Sequence, residues 1–298
     1  MDSGLITIFL PIALAIIMAG LGLELTPNDF KRVSKHPKAV IIALFCQLVV
    51  LVSIAFVICK LLALPPLLAV GLMLLAASPG GPTANLFSYL YKGDIALNIT
   101  LTAINSVLAA VTLPLIVNFA IQHFMQDSGQ VGLQFTKVLQ VFLIIIVPVC
   151  IGMLVRHHAP NVAKKLERPV RIFAVAFLIL IIIGAVLKER HNIAEYFAQI
   201  GIATGLFCLC SLLIGYFVPR FFGINHFQAK ACSFEIGIHN STLAMTIALT
   251  IMASTTVAMP AAVYSVFMYV FAAILGTLLN KYHKDVEPKP ETEPASQS

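Results

Sequence analysis

One acid in this chain sits where only special chemistry tolerates it. Glu235 lies in the run FEIGIHNSTLA, 234 to 244, with apolar residues on both flanks. A carboxylate in hydrocarbon costs about 2.5–3.5 kcal/mol on insertion scales, so it must be neutralised, face water or hold a cation. No Lys or Arg falls at comparable depth. A bound cation, a proton, or neutral hydrogen bonding within the protein remain as ways to satisfy it. Uncharged oxygen donors, which hard cations prefer, recur in neighbouring apolar runs at Gln47, Asn85, Asn98, Thr102 and Asn240. Asn98 and Thr102 are four apart and share one helical face. Each alone also serves as ordinary interhelical glue, worth about 0.6 kcal/mol. His239, four residues after Glu235, is open between packing, cation ligation and proton carriage.

The elements that must hold these groups are membrane helices. Of 298 residues, 59% are apolar and 11% charged, and the mean hydropathy is +0.96, far from the roughly 25% charged residues of a soluble domain. Apolar runs bounded by Gly, Pro and charge predict an all-α polytopic protein with nine spans: 5 to 24, 38 to 63, 65 to 92, 94 to 124, 131 to 156, 169 to 188, 193 to 220, 225 to 253 and 257 to 281. The first run lacks a basic leader and a small-residue cleavage site, and reads as a retained span. With the N-terminus outside, all but four of the 19 Lys and Arg (Lys60, Lys137, Lys188, Arg190) fall on the cytoplasmic side. The C-terminus is then cytoplasmic, and 285–298, rich in Pro, Glu and Ser, is expected as a disordered tail after a single membrane domain, 1–284. The net charge of +6 punctuates hydrophobic runs and forms no basic face for nucleic acid. The six cysteines have neither CxxC spacing nor partnered histidines and read as packing residues.

Two spans are interrupted in the middle. The third carries SPGGPTAN, 78 to 85, whose prolines and glycines cannot continue a helix. The eighth carries the polar island around Glu235, without a proline. These spans occupy corresponding places in two oppositely oriented halves, spans 1 to 4 and 6 to 9. That is the pattern of inverted-repeat transporters, with the site where the broken helices cross.

On these residues the chain resembles the bile acid:sodium symporter family, in its nine-span form, from about Leu14 to Lys281. The pieces are SPGGPTANLFSYLYKGDIAL at 78 to 97, FEIGIHNSTLA at 234 to 244 and LELTPNDFKRVSKHPKAV at 23 to 40. The resemblance implies a core within 38–124 and 193–281, moving against a panel within 5–24 and 131–188. It implies a first sodium site at Asn85, Asn98, Thr102 and Glu235 with the main chain of Ala84. A second would use Gln47, Glu235, the carbonyls of Ile236 and Ile238, and His239. It sets the substrate against Pro82, Thr83, Asn240, Ser241, Met268 and Tyr269. Three departures stand in the ion sites: Ala84 for a serine ligand, Asn98 for a serine, and His239 for a glutamine. One sodium is therefore better supported than two. Pro82 also replaces a threonine, and Met268-Tyr269 a His-Asn pair, so a bile acid is not implied as the substrate.

The expected activity is secondary transport: sodium entry drives uptake of an organic anion, bile-acid-like, pantoate-like or a keto acid, across a bacterial inner membrane, with no obligate protein partner. Proton coupling through Glu235 and His239 is the alternative. A channel is a third possibility. An intramembrane enzyme would need paired aspartate motifs or HExxH, which the sequence lacks.

Overall fold

The computed structural model describes residues 32–125, 135–166 and 193–282, with scattered positions between 12 and 23 and between 168 and 176. Most of the first and sixth expected spans and the tail 285–298 lie outside the described residues. Helices make up the described architecture: α1 (Pro37–Leu61), α2 (Pro66–Ala77), α3 (Pro82–Leu90), α4 (Ile95–Phe124), α5 (Phe135–His158), α6 (Ile193–Phe221), α7 (His226–Gly237), α8 (Ser241–Thr250) and α9 (Thr255–Tyr282). Pro37, Pro66 and Pro82 open α1, α2 and α3 in the first turn, where a missing N–H costs nothing. Four stretches, Pro37–Leu61, Ile95–Phe124, Ala198–Phe221 and Thr255–Tyr282, are long and apolar enough to cross a membrane. On α4, Val107, Val111, Leu115 and Phe119 recur every fourth residue and are exposed. Such a stripe would be an aggregation hazard in water and is the surface a bilayer covers.

The interruptions fall where the sequence places them. α2 stops at Ala77 and α3 starts at Pro82; α7 stops at Gly237 and α8 starts at Ser241. The half-helices that lead into the breaks are the deepest elements, α2 buried from Leu68 to Ala77 and α7 from Gln228 to Gly237. Around them, α2 packs on α1, α4 and α9, and α7 packs on α6, α3 and α4. Among the described residues α5 packs chiefly on α4. It also approaches the N-terminal segment at Gly152, where an added Cβ would run into the main chain of Ala19 and Gly22. Only glycine permits so close a helix contact.

Candidate functional site at the crossed helix breaks

The two breaks meet. Gly81 N donates to Ile238 O at 2.7 Å and Asn240 N donates to Pro79 O at 2.8 Å, which pairs Gly80 with His239 as a short antiparallel bridge. Each break thus satisfies main-chain groups that the other has freed, as apolar surroundings demand. This also accounts for a break in the eighth span without a proline: the first break supplies its hydrogen bonds.

Glu235, fully buried, sits one turn before the second break. Thr102 Oγ1 donates to its Oε2 at 2.5 Å and Asn105 Nδ2 to its Oε1 at 3.2 Å. Gly80 presses on the same carboxylate, and a Cβ there would collide with it; only glycine lets the broken segment pass so close. Among the described residues no Lys, Arg or His lies within ion-pair distance of this acid.

Several buried amide oxygens on the helices near the breaks have no donor. Asn98 Nδ2 donates to Ala84 O at 3.1 Å, to Ala231 O at 3.4 Å and to Ser88 Oγ. Carbonyls only accept, so the amide nitrogen must face them and Oδ1 must face away, where it is buried and unbonded. Gln47 behaves alike: Nε2 donates to Ser78 O at 3.0 Å, and Oε1 is left alone. Asn85 Oδ1 and Asn105 Oδ1 are also buried without a partner. A buried acceptor without a donor costs about 1–3 kcal/mol, and carboxylate and amide oxygens are the ligands that a small hard cation takes.

The expected site residues fall into two groups. Asn98, Thr102, Glu235 and the Ala84 carbonyl are tied by hydrogen bonds, Thr102 Oγ1 also reaching Asn98 O at 3.1 Å. Asn85 adjoins Ala84 in the first turns of α3. Gln47 and His239 form the second group: His239 Nδ1 lies 3.2 Å from Ser78 O and 3.5 Å from Gln47 Nε2. Since Ser78 O accepts only, Nδ1 carries the hydrogen and Nε2 holds a lone pair, buried and unpartnered. The ring stacks on Phe207 and meets Tyr264 edge-on, both at 5.5 Å. A π-helical turn, Cys46–Val50, carries Gln47; such turns concentrate at functional places. Ile236 and Ile238 are fully buried, and Ile238 O already accepts from Gly81 N. Among the described residues no hydrogen bond joins Glu235 to Gln47 or His239; the groups adjoin through the extended segment 78–80.

Of the expected substrate residues, Pro82 and Ser241 begin the two half-helices and Thr83 follows in the first turn. Asn240 uses its side-chain oxygen to cap α8, accepting from Leu243 N at 3.0 Å. Met268 is buried against Ser241, Oγ to Sδ 3.8 Å. Tyr269 diverges from it, 40% exposed, its ring stacked on Phe87.

Three participants were not singled out from the sequence: Ser78, Gly80 and Asn105. Asn105 was within reach, since it continues the face of α4 that carries Asn98 and Thr102. One basic residue has an unexpected setting. Lys230, counted with the cytoplasmic loop charges, is buried inside α7. Its ammonium donates to Tyr91 O at 3.0 Å and Asn280 Oδ1 at 2.5 Å. It ties the C-terminal ends of α3 and α9 together, because neutral carbonyls at helix ends attract a cation.

Comparison with known proteins points in one direction. Residues 11–196 match the model of the sodium bile acid symporter family. The chain is 29% identical over 283 residues to an uncharacterised sodium-dependent transporter of Bacillus subtilis, YocS, covering 94% of this chain and 84% of that protein. It is 26% identical over 286 residues to the ileal sodium/bile acid cotransporter of the rabbit, Oryctolagus cuniculus, covering 95% and 82%. It is 28% identical over 265 residues to a probable chloroplastic sodium/metabolite cotransporter of Arabidopsis thaliana, covering 89% of this chain and 65% of that protein.

Proposed function

We propose, since this chain belongs to the sodium bile acid symporter family, that it is a multi-pass membrane transporter in which sodium entry drives uptake of a small organic carboxylate. The observation that carries this is Glu235, buried without a counter-charge among the described residues and bonded to Thr102 and Asn105 of α4, on which Asn98 Oδ1 and Asn105 Oδ1 are left without donors. Sodium would be held at Asn85, Asn98, Thr102, Glu235 and the Ala84 carbonyl. Gln47, Glu235, His239 and the carbonyls of Ile236 and Ile238 would make a second, weaker position, because imidazole nitrogen suits an alkali cation less well than amide oxygen. The relatives whose names carry sodium-dependent transport or sodium cotransport support the choice of ion.

The substrate would sit at the crossing, against Pro82, Thr83, Asn240, Ser241, Met268 and Tyr269. There the N-termini of α3 and α8 offer partial positive charge to a carboxylate. Cation and anion would thus bind on either side of the same paired main chain, so each strengthens the other by linkage. Uptake by alternating access would move a core within 38–124 and 193–281 against a panel within 5–24 and 131–188. We place nine spans in a bacterial inner membrane as an inverted repeat, with the N-terminus outside and the C-terminus in the cytoplasm. Each net positive charge carried inward gains about 2.3 kcal/mol per 100 mV, so ion stoichiometry fixes how far substrate is concentrated.

The test is uptake of labelled pantoate, keto acids and a bile acid into proteoliposomes, with an inward sodium gradient, an inward proton gradient, or neither. Saturable uptake of one of them that needs sodium and is lost in Glu235→Ala supports the proposal. Uptake driven by the proton gradient, indifferent to sodium replaced by choline, would transfer the coupling role to protons at Glu235 and His239.

A further inference from the structure

The end of α5 carries a charge that the protein itself does not answer. Arg156 lies in its last turn with His157 and His158. The guanidinium Nη1 is buried, and among the described residues nothing accepts from it. A cation shielded from water is unfavourable until an anion meets it. The helix end has no need of it: His158 turns Nδ1 to Leu154 O at 3.1 Å, and Ala159 N donates to Val155 O at 2.9 Å. More bases follow at once. Ala159 interrupts the helix, and a second, short helix occupies 160–166. Between 156 and 168 stand Arg156, Lys164, Lys165 and Arg168 against one acid, Glu167.

The short helix has unlike sides. Ala163 is fully buried and faces the protein. Val162 and Leu166, both exposed, are four apart and flank it on one side. Lys164 flanks it on the other, and Lys165 stands opposite it; both are exposed. On α5 itself Val147, Ile151 and Leu154 form an exposed apolar stripe that ends just before these bases. Apolar surface that stops where bases begin is the profile of the boundary between hydrocarbon and headgroups. Ala159 is bonded as in a helix on both sides, its N–H to Val155 O and its carbonyl from Ala163 N. The Cα atoms of Arg156 and Lys164 are therefore at most roughly 15 Å apart, an interval that two long side chains bridge with one phosphodiester between them. We infer that Arg156, Lys164 and Lys165 hold the headgroup of an anionic phospholipid where α5 leaves the membrane, on the cytoplasmic face in the orientation proposed above. A zwitterionic lipid fits less well, since its own ammonium meets the same bases. The site is independent of Glu235 and of the coupled ion.

Binding of labelled phosphatidylglycerol to the purified full chain in a neutral maltoside detergent tests this, with competing lipids of the same acyl chains. Unlabelled phosphatidylglycerol should displace the label at a concentration at least tenfold below that of phosphatidylcholine. A base near an anionic headgroup is worth about fivefold in affinity. Lys164→Gln with Lys165→Gln should therefore weaken the lipid at least tenfold, and Arg156→Gln added to them at least fiftyfold. Lys35→Gln with Lys281→Gln, two exposed bases elsewhere, should weaken it less than threefold. Equal displacement by the two lipids would overturn the inference. So would unchanged affinity in the variant at Lys164 and Lys165, whose exposed side chains can be replaced without loss of the fold even if Arg156→Gln does not fold. An equal loss in the variant at Lys35 and Lys281 would also overturn it, as the effect of diffuse surface charge. Glycerol phosphate that displaces the label as well as the whole lipid does would overturn the choice of a lipid and leave a site for a soluble phosphate.

Discussion

Replacing Glu235 by Gln keeps the shape of the site and removes its charge. Thr102 Oγ1 can still donate to the amide oxygen from where it lies, 2.5 Å from Oε2. The new amide nitrogen would face Asn105 Nδ2, donor against donor, unless the Asn105 amide turns over. Turning it presents Oδ1, now donorless, to the new N–H. One hydrogen bond is exchanged for another, so folding should change by no more than about 1 kcal/mol. Cation binding should change far more. A unit charge about 4 Å away at an effective dielectric of 20 is attracted by about 4 kcal/mol, and burial keeps solvent screening low. At about 1.4 kcal/mol per decade that is roughly a thousandfold in affinity. Sodium at about 100 times the wild-type dissociation constant stabilises the fold by about 2.7 kcal/mol. A thousandfold weaker site yields less than about 0.1 kcal/mol under the same conditions. Thermal unfolding in sodium against choline at equal ionic strength reads both quantities. Glu235→Gln should unfold in choline close to the wild type and show no sodium-specific rise. A sodium-specific rise with wild-type half-saturation would refute the assignment of the charge.

Gly80→Ala drives a methyl group into the Glu235 carboxylate; overpacking of this kind costs about 1–3 kcal/mol, and sodium half-saturation in the same melt should rise more than tenfold. Asn240→Ala removes the cap on α8 and should cost about 1 kcal/mol of stability, measured by thermal unfolding in choline, with weaker substrate affinity and little change in sodium binding. Lys230→Met leaves Tyr91 O and Asn280 Oδ1 without their donor, about 1–3 kcal/mol for each buried acceptor. Its melting temperature should fall while sodium half-saturation stays put, which separates that clasp from the proposed ion site. Gly152→Leu opposes the close contact with Ala19 and Gly22 and should destabilise the protein in detergent without altering sodium half-saturation in the folded fraction.

Much of the fold was legible because the bilayer leaves so little choice. Apolar runs closed by Pro, Gly and charge gave α1, α4, α6 and α9 to within a few residues of their observed ends. The break at 78–81 was legible from its prolines and glycines. The break at 238–240 was legible only as polarity around Glu235, since its cause is tertiary: Pro79, Gly81, Ile238 and Asn240 bond across a separation of about 160 residues. Glu235 declared itself by being an acid in an apolar run, and Asn98 and Thr102 by helical spacing. Asn105 obeys the same spacing and was passed over because an asparagine is common helix glue until its partner is known. The burial of Lys230 was not legible, because a lysine near a span end ordinarily reaches water; what buries it is the pair of helix ends, α3 and α9, that converge on its ammonium. The π-helical turn at Cys46–Val50 has no proline or glycine to announce it.

Whether a buried carboxylate in this chain holds sodium is answered most directly by thermal unfolding of the wild-type protein in detergent, titrated with sodium chloride against choline chloride at constant ionic strength and at several pH values. A saturable rise specific to sodium, absent in Glu235→Gln, is the expected result. Identical melting in sodium and choline at every pH, with stability that follows pH alone, would contradict sodium coupling.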